Sequence, residues 1–435
     1  MITRIEAYRY RCFEKLAVDL GRYQVLVGRN GAGKSTLLDI PVLIGEMLEL
    51  RSIQKAFFGE RSRLAPRAST AEDLLFARMG DWFSLAVEVR LPDYLADQME
   101  RKMVAYLSKR EMAARDNDPG RSVGHMRYEL GFRVANGAVE ISHEYLFMLP
   151  KNRALLGDMP AGLWGDNAAD VESDLARIII RRTSDNVSQI EPEVGRSIGV
   201  SAFNIPTATP ALSGAPLDLR LYAATDWLRN YLGRDVLQVN LDLPAMRRPQ
   251  RPPGADFQVA SDGTTLPWSV LGLEKKPASH QEWIDHIGSA LPYLKTVRGR
   301  TQEADNHAYL EVAYETGYLV RSIGLSDGSL ALLALSILPF LDNVPSFVGV
   351  EEPENGIHPK AIEVILESLQ AMENAQAVVT THSPIVVAVT KPENLLCLSL
   401  TQNEGVKVVR GSEHKALASW KGIPELDVLF SAGVL

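Results

Sequence analysis

Apolar and polar positions alternate through residues 2–8, and a short apolar run fills residues 23–27 before the chain turns glycine-rich. Leucine and isoleucine then recur at helical spacing over residues 34–48, so the stretch reads strand, glycine loop, helix. Residues 84–91 alternate as a half-buried strand does, and Pro92 ends the pattern. Between residues 93 and 115 charged positions surround Leu95, Met99, Met103, Tyr106 and Leu107, a helical pattern too short for a long coiled-coil arm. Residues 126–134 and 138–147 read as a strand pair around Asn136-Gly137, a dipeptide that favours positive φ, and they are expected to continue the first lobe's sheet.

From residue 151 to 253 the periodicity weakens to an expected helix at 168–182, a proline-rich loop at 206–216 and a helix at 218–231. A second strand pair is expected at 309–315 and 318–323 around Thr316-Gly317, then a helix at 328–341. A buried strand at 347–350, a helix at 359–372 and a strand at 377–380 complete the alternation of a parallel α/β sheet. The expected organisation is a discontinuous head of residues 1–92 and 309–400, a mixed α+β insertion at 93–308, and a C-terminal cap at 401–435.

Composition adds exclusions. With 46% hydrophobic and 23% charged residues the chain resembles an ordinary globular protein. A net charge of −8 argues against a uniformly basic nucleic-acid coat but leaves room for a local basic groove. Arg247, Arg248 and Arg251 form such a local run, read either as a solvated loop or as a contact to phosphate backbone. Cys12 and Cys397 show neither disulfide nor zinc spacing. The apolar run at 330–341 falls short of the roughly 20 residues needed to span a bilayer. The start of the chain lacks the apolar core of a signal peptide, so a cytoplasmic protein without a membrane partner is expected.

Gly28-Arg29-Asn30-Gly31-Ala32-Gly33-Lys34-Ser35 fits G-x-x-x-x-G-K-S/T between an expected strand and helix, the setting that motif requires. Glycines let several backbone N–H groups face one anion, and the helix N-terminus adds its positive end. Average residue frequencies produce the pattern by chance about once in a hundred chains of this length, before that setting is demanded. Lys34 is expected to reach the β- and γ-phosphates of ATP, and Ser35 to give a hydroxyl to Mg²⁺.

The strand at 347–350 ends in Glu351 and Glu352, which a parallel sheet delivers to its carboxyl edge. Glu351 is expected to hold the magnesium through water and Glu352 to act as general base; the bland alternative is a charged strand end. His382, after the next apolar strand, would stand at the same edge as a γ-phosphate sensor, although a lone histidine is usually structural. Ser326 and Gly328 in Leu325-Ser326-Asp327-Gly328-Ser329 open a helix, where an N-cap and an anion contact are compatible roles.

The order of these motifs resembles the ABC-type ATPase heads of the RecF, SMC and OLD families, and most of all the OLD-like AAA-family ATPases with their EEPE-N-G-x-H-P and THSP segments. The resemblance covers residues 1–91 and 309–390, and implies an α/β fold: an ABC-type P-loop NTPase head with a central α+β insertion. It assigns Gly28 through Ser35 and Thr36 to Walker A, Ser326 to Gly328 to the signature, Glu351 and Glu352 to Walker B, residues 355–358 to the D-loop and His382 to the switch. Arg11 resembles an arginine that lies near the nucleotide, against the plain reading of a surface strand arginine. The sequence departs from the family in having no assignable Q-loop glutamine, Gln54 being in poor context, no long heptad arms, and no room after His382 for the Toprim nuclease of OLD proteins.

The resemblance implies MgATP binding and hydrolysis, a homodimer closed through an ATP sandwich, and a nucleotide-driven clamp or sensor. Its output would be DNA or a separate effector protein, a nuclease or toxin, plausible in anti-phage defence or in RecF-like DNA repair. A non-hydrolysing ATP-bound scaffold is the rival from another class. A transporter ATPase subunit would be expected to carry LSGGQ in place of LSDGS and a simpler insertion.

Overall fold

Ile2–Tyr10 (β1) is a strand in the structure, pairing antiparallel with Phe13–Asp19 (β2) on one side and Trp82–Arg90 (β4) on the other, but its alternation gives way to successive buried residues from Ile5 to Tyr8. In this computed structural model, residues 1–59, 66–106, 109–156, 176–183, 187–194, 199–214, 218, 220–254, 258–401 and 405–414 are described. The chain forms two compact units: residues 1–20, 39–236 and 400–407 make the first, and residues 21–38, 237–399 and the chain from 408 make the second. These cuts at 20, 38 and 236 differ from the expected boundaries at 92 and 308. The long β-strands after Pro92 go on pairing with the N-terminal ones, so the first sheet does not stop there.

That sheet adds Val123–Ala135 (β5), Ala138–Pro150 (β6), Arg177–Arg182 (β7), Val187–Ile190 (β8) and Ser201–Asn204 (β9) in the order β2-β1-β4-β5-β6-β7-β8-β9. The helix expected at 168–182 lies outside the described residues up to 175. Beyond that point it is corrected to strand β7, because Ile178, Ile179 and Ile180 are β-branched and buried between two partner strands. The helix expected at 218–231 forms later, over Ala223–Arg234, and the C-terminal cap is described only as far as residue 414.

One face of the first sheet buries charge. Register aligns Arg4, Glu88 and Arg127 across three strands, with Glu6 and Glu129 on either side of Ala86. Arg127, fully buried, meets Glu6 at 2.8 Å, Glu88 at 2.9 Å and Glu129 at 2.5 Å, while Arg4 bonds Glu6 and Arg153 bonds Glu88. Burial pushes the Glu6 carboxyl up, but Arg127 and Arg4 overcome it and hold it at about 2.

The second unit rests on a six-stranded sheet in the order β10-β14-β15-β3-β16-β17. Its strands are Val236–Val239 (β10), Phe347–Glu351 (β14), Gln376–Thr381 (β15), Tyr23–Val27 (β3), Leu395–Thr401 (β16) and Gly405–Arg410 (β17). The central strands are buried on successive residues, and all of Tyr23–Val27 is buried, Gln24 included. Helices Pro277–Gly288, Asp327–Ser336 and Pro359–Gln370 supply the cover, with Trp283, Leu330, Ile365 and Val379 in one core. A small antiparallel sheet, Leu294–Thr301 (β11), Ala308–Tyr314 (β12) and Leu319–Arg321 (β13), precedes the Asp327–Ser336 helix. Among the described residues no helix is long and apolar enough to cross a membrane.

Replacing Arg127 with methionine would leave Glu6, Glu88 and Glu129 buried without their shared cation. Breaking such a network costs about 3–5 kcal/mol, to be read from urea unfolding. Because the Glu6 pKa is depressed, its stabilisation is present above the ordinary 4.5 and is lost as pH falls toward about 2. Arg127→Met should therefore also flatten the acid limb of the stability profile.

Candidate functional site

Parallel pairing sets the geometry. Glu351 stands opposite Thr380, and Thr381 stands opposite Val27, so β14, β15 and β3 end within one residue of each other at a single sheet edge. The residues that follow those ends are Glu352, His382 and Gly28, and all belong to the second unit.

The loop after β3 needs its glycines. A Cβ on Gly28 would meet the Leu398 carbonyl oxygen at 2.3 Å, and Gly33 holds φ +88°, a backbone shape other residues reach at a cost of about 1–2 kcal/mol. Arg29, Asn30 and Gly31 are exposed, Ala32 is buried, and Lys34 begins the Lys34–Leu50 helix with Ser35 and Thr36 in its first turn. Lys34 is itself buried, and its Nζ donates to the Gly28 carbonyl at 2.6 Å and lies 3.3 Å from that of Arg29. Burial lowers the Lys34 pKa, against the opposing pull of Glu352, Glu354 and Glu351. A cation folded over a loop of backbone N–H groups at a helix N-terminus is a site for a polyanion.

Across from the loop, the Ser35 hydroxyl donates to Glu351 Oε2 at 3.2 Å. A serine hydroxyl beside an exposed carboxylate is an oxygen donor set suited to Mg²⁺. Gln238 on β10 donates its Nε2 to Glu351 Oε1 at 2.7 Å. No motif in the sequence marks this glutamine. Its strand is only four residues long and lies far from the motifs in sequence, and the signal is its place on the strand beside β14. Gln54 belongs to the first unit, where its amide bonds the Val139 carbonyl at 2.7 Å.

Glu352 leaves the strand with φ +43°, the left-handed region, while its N–H still reaches the Thr380 carbonyl at 2.9 Å. Asn355 donates its side-chain amide to Glu352 Oε2 at 2.9 Å, and His382 Nδ1 lies 3.0 Å from Oε1. The strained backbone is held by these contacts, which turn the carboxylate toward the histidine. Glu354 supports the next turn, accepting from Thr381 Oγ1 at 2.6 Å and from the His382 N–H at 3.3 Å.

Ser326 caps the Asp327–Ser336 helix by accepting from the Ser329 N–H at 3.2 Å. Gly328 lies so near the Gly356 carbonyl that a Cβ would stand 3.1 Å from it. Arg247 bonds the Leu325 carbonyl and Asp327 Oδ1, so this member of the basic run anchors the helix entrance. Arg11 belongs to the first unit, with φ +52° and its guanidinium donating to the Arg67 carbonyl. The structure thus brings together Lys34, Ser35, Glu351, Glu352 and His382, and sets Gly328 against Gly356 in the segment after Glu352. Arg11 is not among the residues that bond to this cluster.

Residues 216–388, less than half of the chain, match the family model "AAA domain, putative AbiEii toxin, Type IV TA system". That span includes Gln238, Ser326, Glu351, Glu352 and His382 and leaves out the loop at 28–35. No curated protein sequence matches the chain. Among solved structures, an Smc head bound to the C-winged helix domain of ScpA aligns at 14% identity, covering 94% of this chain and 97% of that one, with TM-score 0.47. A second, an Smc head with an extended coiled coil bound to the C-terminal domain of ScpA derived from Pyrococcus furiosus, aligns at 11% identity over 99% and 98% of the two chains, with TM-score 0.44. The SMC head from Thermotoga maritima aligns at 12% identity over 94% and 98%, with TM-score 0.40.

The site's first test is anion binding. Magnesium pyrophosphate at about 100 times its dissociation constant should stabilise the protein by about 2.7 kcal/mol, visible as a raised melting temperature. Gly33→Ala, which strains the loop at φ +88°, should lose most of that rise. An equal rise in both proteins would place the anion elsewhere.

Proposed function

We propose that this chain binds MgATP at the loop 28–35 and hydrolyses it, as an ABC-type ATPase whose site is completed by a second copy. The observation that carries the reading is the hydrogen-bonded chain from Ser35 to Glu351 at one strand end and from Glu352 to His382 at the neighbouring ends. A phosphate loop, a metal-holding carboxylate and a second, histidine-linked carboxylate are the parts that phosphoryl transfer to water requires.

In this reading Lys34 and the loop N–H groups would hold the β- and γ-phosphates, and Ser35 and, through water, Glu351 would hold Mg²⁺. The metal, when bound, neutralises charge that develops on the phosphate oxygens. Glu352 accepts a proton from the attacking water as its oxygen bonds to the γ-phosphorus and the bond to the β–γ bridging oxygen breaks. His382, bonded to Glu352 through Nδ1, has Nε2 left to face the γ-phosphate. Gln238 is assigned the place of the missing Q-loop glutamine, because it touches the proposed metal ligand directly.

The Ser326 helix N-terminus is assigned to the phosphate of a partner copy. Ser326 and Asp327 are exposed at the start of that helix, where an anion held by another copy can approach it. Two such chains, head to tail about a two-fold axis, would form two composite sites. The clamp or sensor role, an effector protein or DNA as its output, and anti-phage defence are carried by motif resemblance alone.

Glu352→Gln should keep ATP affinity while lowering turnover about 10²- to 10⁴-fold, since the amide preserves shape but accepts no proton. Turnover at the parental rate would move the base elsewhere, with Glu351 the first suspect. Ser326→Arg should spare ATP binding by the monomer and block turnover; normal hydrolysis by that variant would sink the two-copy site.

A further inference from the structure

The small sheet β11-β12-β13 leaves one face in solvent, and that face is basic. Val297, Gly299, Ala308, Leu310 and Val312 are buried, so the alternate positions Arg298, Arg300, Tyr309, Glu311, Leu319 and Arg321 point the other way. Register sets Arg298, Glu311 and Arg321 in one row across the three strands. The carboxylate in that row is already engaged, with Arg300 at 3.3 Å from Glu311. Among the described residues Arg298 and Arg321 meet no carboxylate, and the Arg321 guanidinium lies 5.3 Å from the centre of the Tyr309 ring.

The arginine run noted in the sequence extends the same sheet. Gln250 exchanges backbone bonds with Ala308 at 2.7 and 2.8 Å, which brings the exposed Arg248 and Arg251 to the start of β12. At the opposite end stands Tyr293, 71% exposed, its carbonyl accepting from the Glu315 N–H, while Tyr314 and Tyr318 pair across the hairpin in register with Val312 and Val320 and so belong to the other face. Glu303 and Asp305 are confined to the β11–β12 turn, where Asp305 bonds His307, and Glu315 follows β12 at the tyrosine end. A chain of net charge −8 therefore concentrates arginine on one open, tyrosine-edged surface.

We propose that this face binds single-stranded nucleic acid, with phosphates on Arg298 and Arg321 and bases against Tyr293 and Tyr309. Cationic grooves with aromatic rings hold single strands without regard to sequence, because every phosphate carries charge and every base has a stacking face. An acidic peptide would engage the arginines and leave the tyrosines idle. A duplex would hide its bases from rings on a flat sheet, which has no protruding element to enter a groove. This binding stands independently of the ATPase reading. Its position matters to that reading, because β13 leads through Ser322, whose Oγ accepts from the Leu310 N–H at 2.6 Å, directly to Ser326.

The test uses the full chain without nucleotide and a fluorescent oligothymidylate of about 20 nucleotides, longer than the roughly 4–16 that such surfaces cover. Anisotropy at about 50 mM salt should report binding that weakens as salt rises. The double variant Arg298→Glu with Arg321→Glu should bind roughly tenfold or more weakly, and its salt slope should fall by about 0.7 for each lost phosphate contact. Arg101→Glu, a reversal at an exposed arginine in the other unit, should bind as the parent does. Tyr293→Ala should weaken binding without changing the salt slope, and unaltered melting curves would exclude unfolding. No binding by the parent, equal binding by the double variant, or tighter binding of a duplex or of polyglutamate than of the single strand would overturn the proposal.

Discussion

The register of three parallel strands governs this molecule's chemistry. With Glu351 opposite Thr380 and Thr381 opposite Val27, three turns from distant parts of the sequence leave the sheet at one edge. These strands are buried on successive residues, so a slip of one residue would refit every side chain to the cover of the opposite face. The core around them is plain apolar packing, with Val25, Val348, Val350, Val379 and the helices above them in a single cluster. The charged groups Glu351 and Glu352 appear where β14 stops.

At that edge the backbone accepts local strain in return for position. Glu352 adopts φ +43° while keeping its bond to Thr380, and its carboxylate is divided between Asn355 and His382. Lys34 stays buried among backbone carbonyls with carboxylates nearby. For the proposed hydrolysis such an arrangement is preorganised: its groups are aimed before any ligand arrives.

Much of this is legible because local rules apply. The glycine loop announces itself by its spacing between strand and helix, and the apolar strand ending in Glu351-Glu352 by its abrupt change to charge. Gln238 is not legible, since only sheet order brings a four-residue strand beside β14. The unit boundaries stay hidden because Pro92 looks like a stop while β4 and β5 pair across it. Arg127 and its three carboxylates reveal themselves only once strand register places distant charges side by side. At residues 177–182 the local signal is present but divided: helical spacing competes with β-branching, and the three isoleucines at 178–180 settle it as strand once neighbouring strands bury them.

The central claim is that Lys34 and its loop hold the phosphates of one MgATP per chain. Calorimetric titration of ATP into the parent protein and into Lys34→Ala, each with and without Mg²⁺, tests it most directly. One metal-dependent binding event per chain is expected in the parent and none in the variant. Equal affinity and stoichiometry in both proteins would contradict the claim.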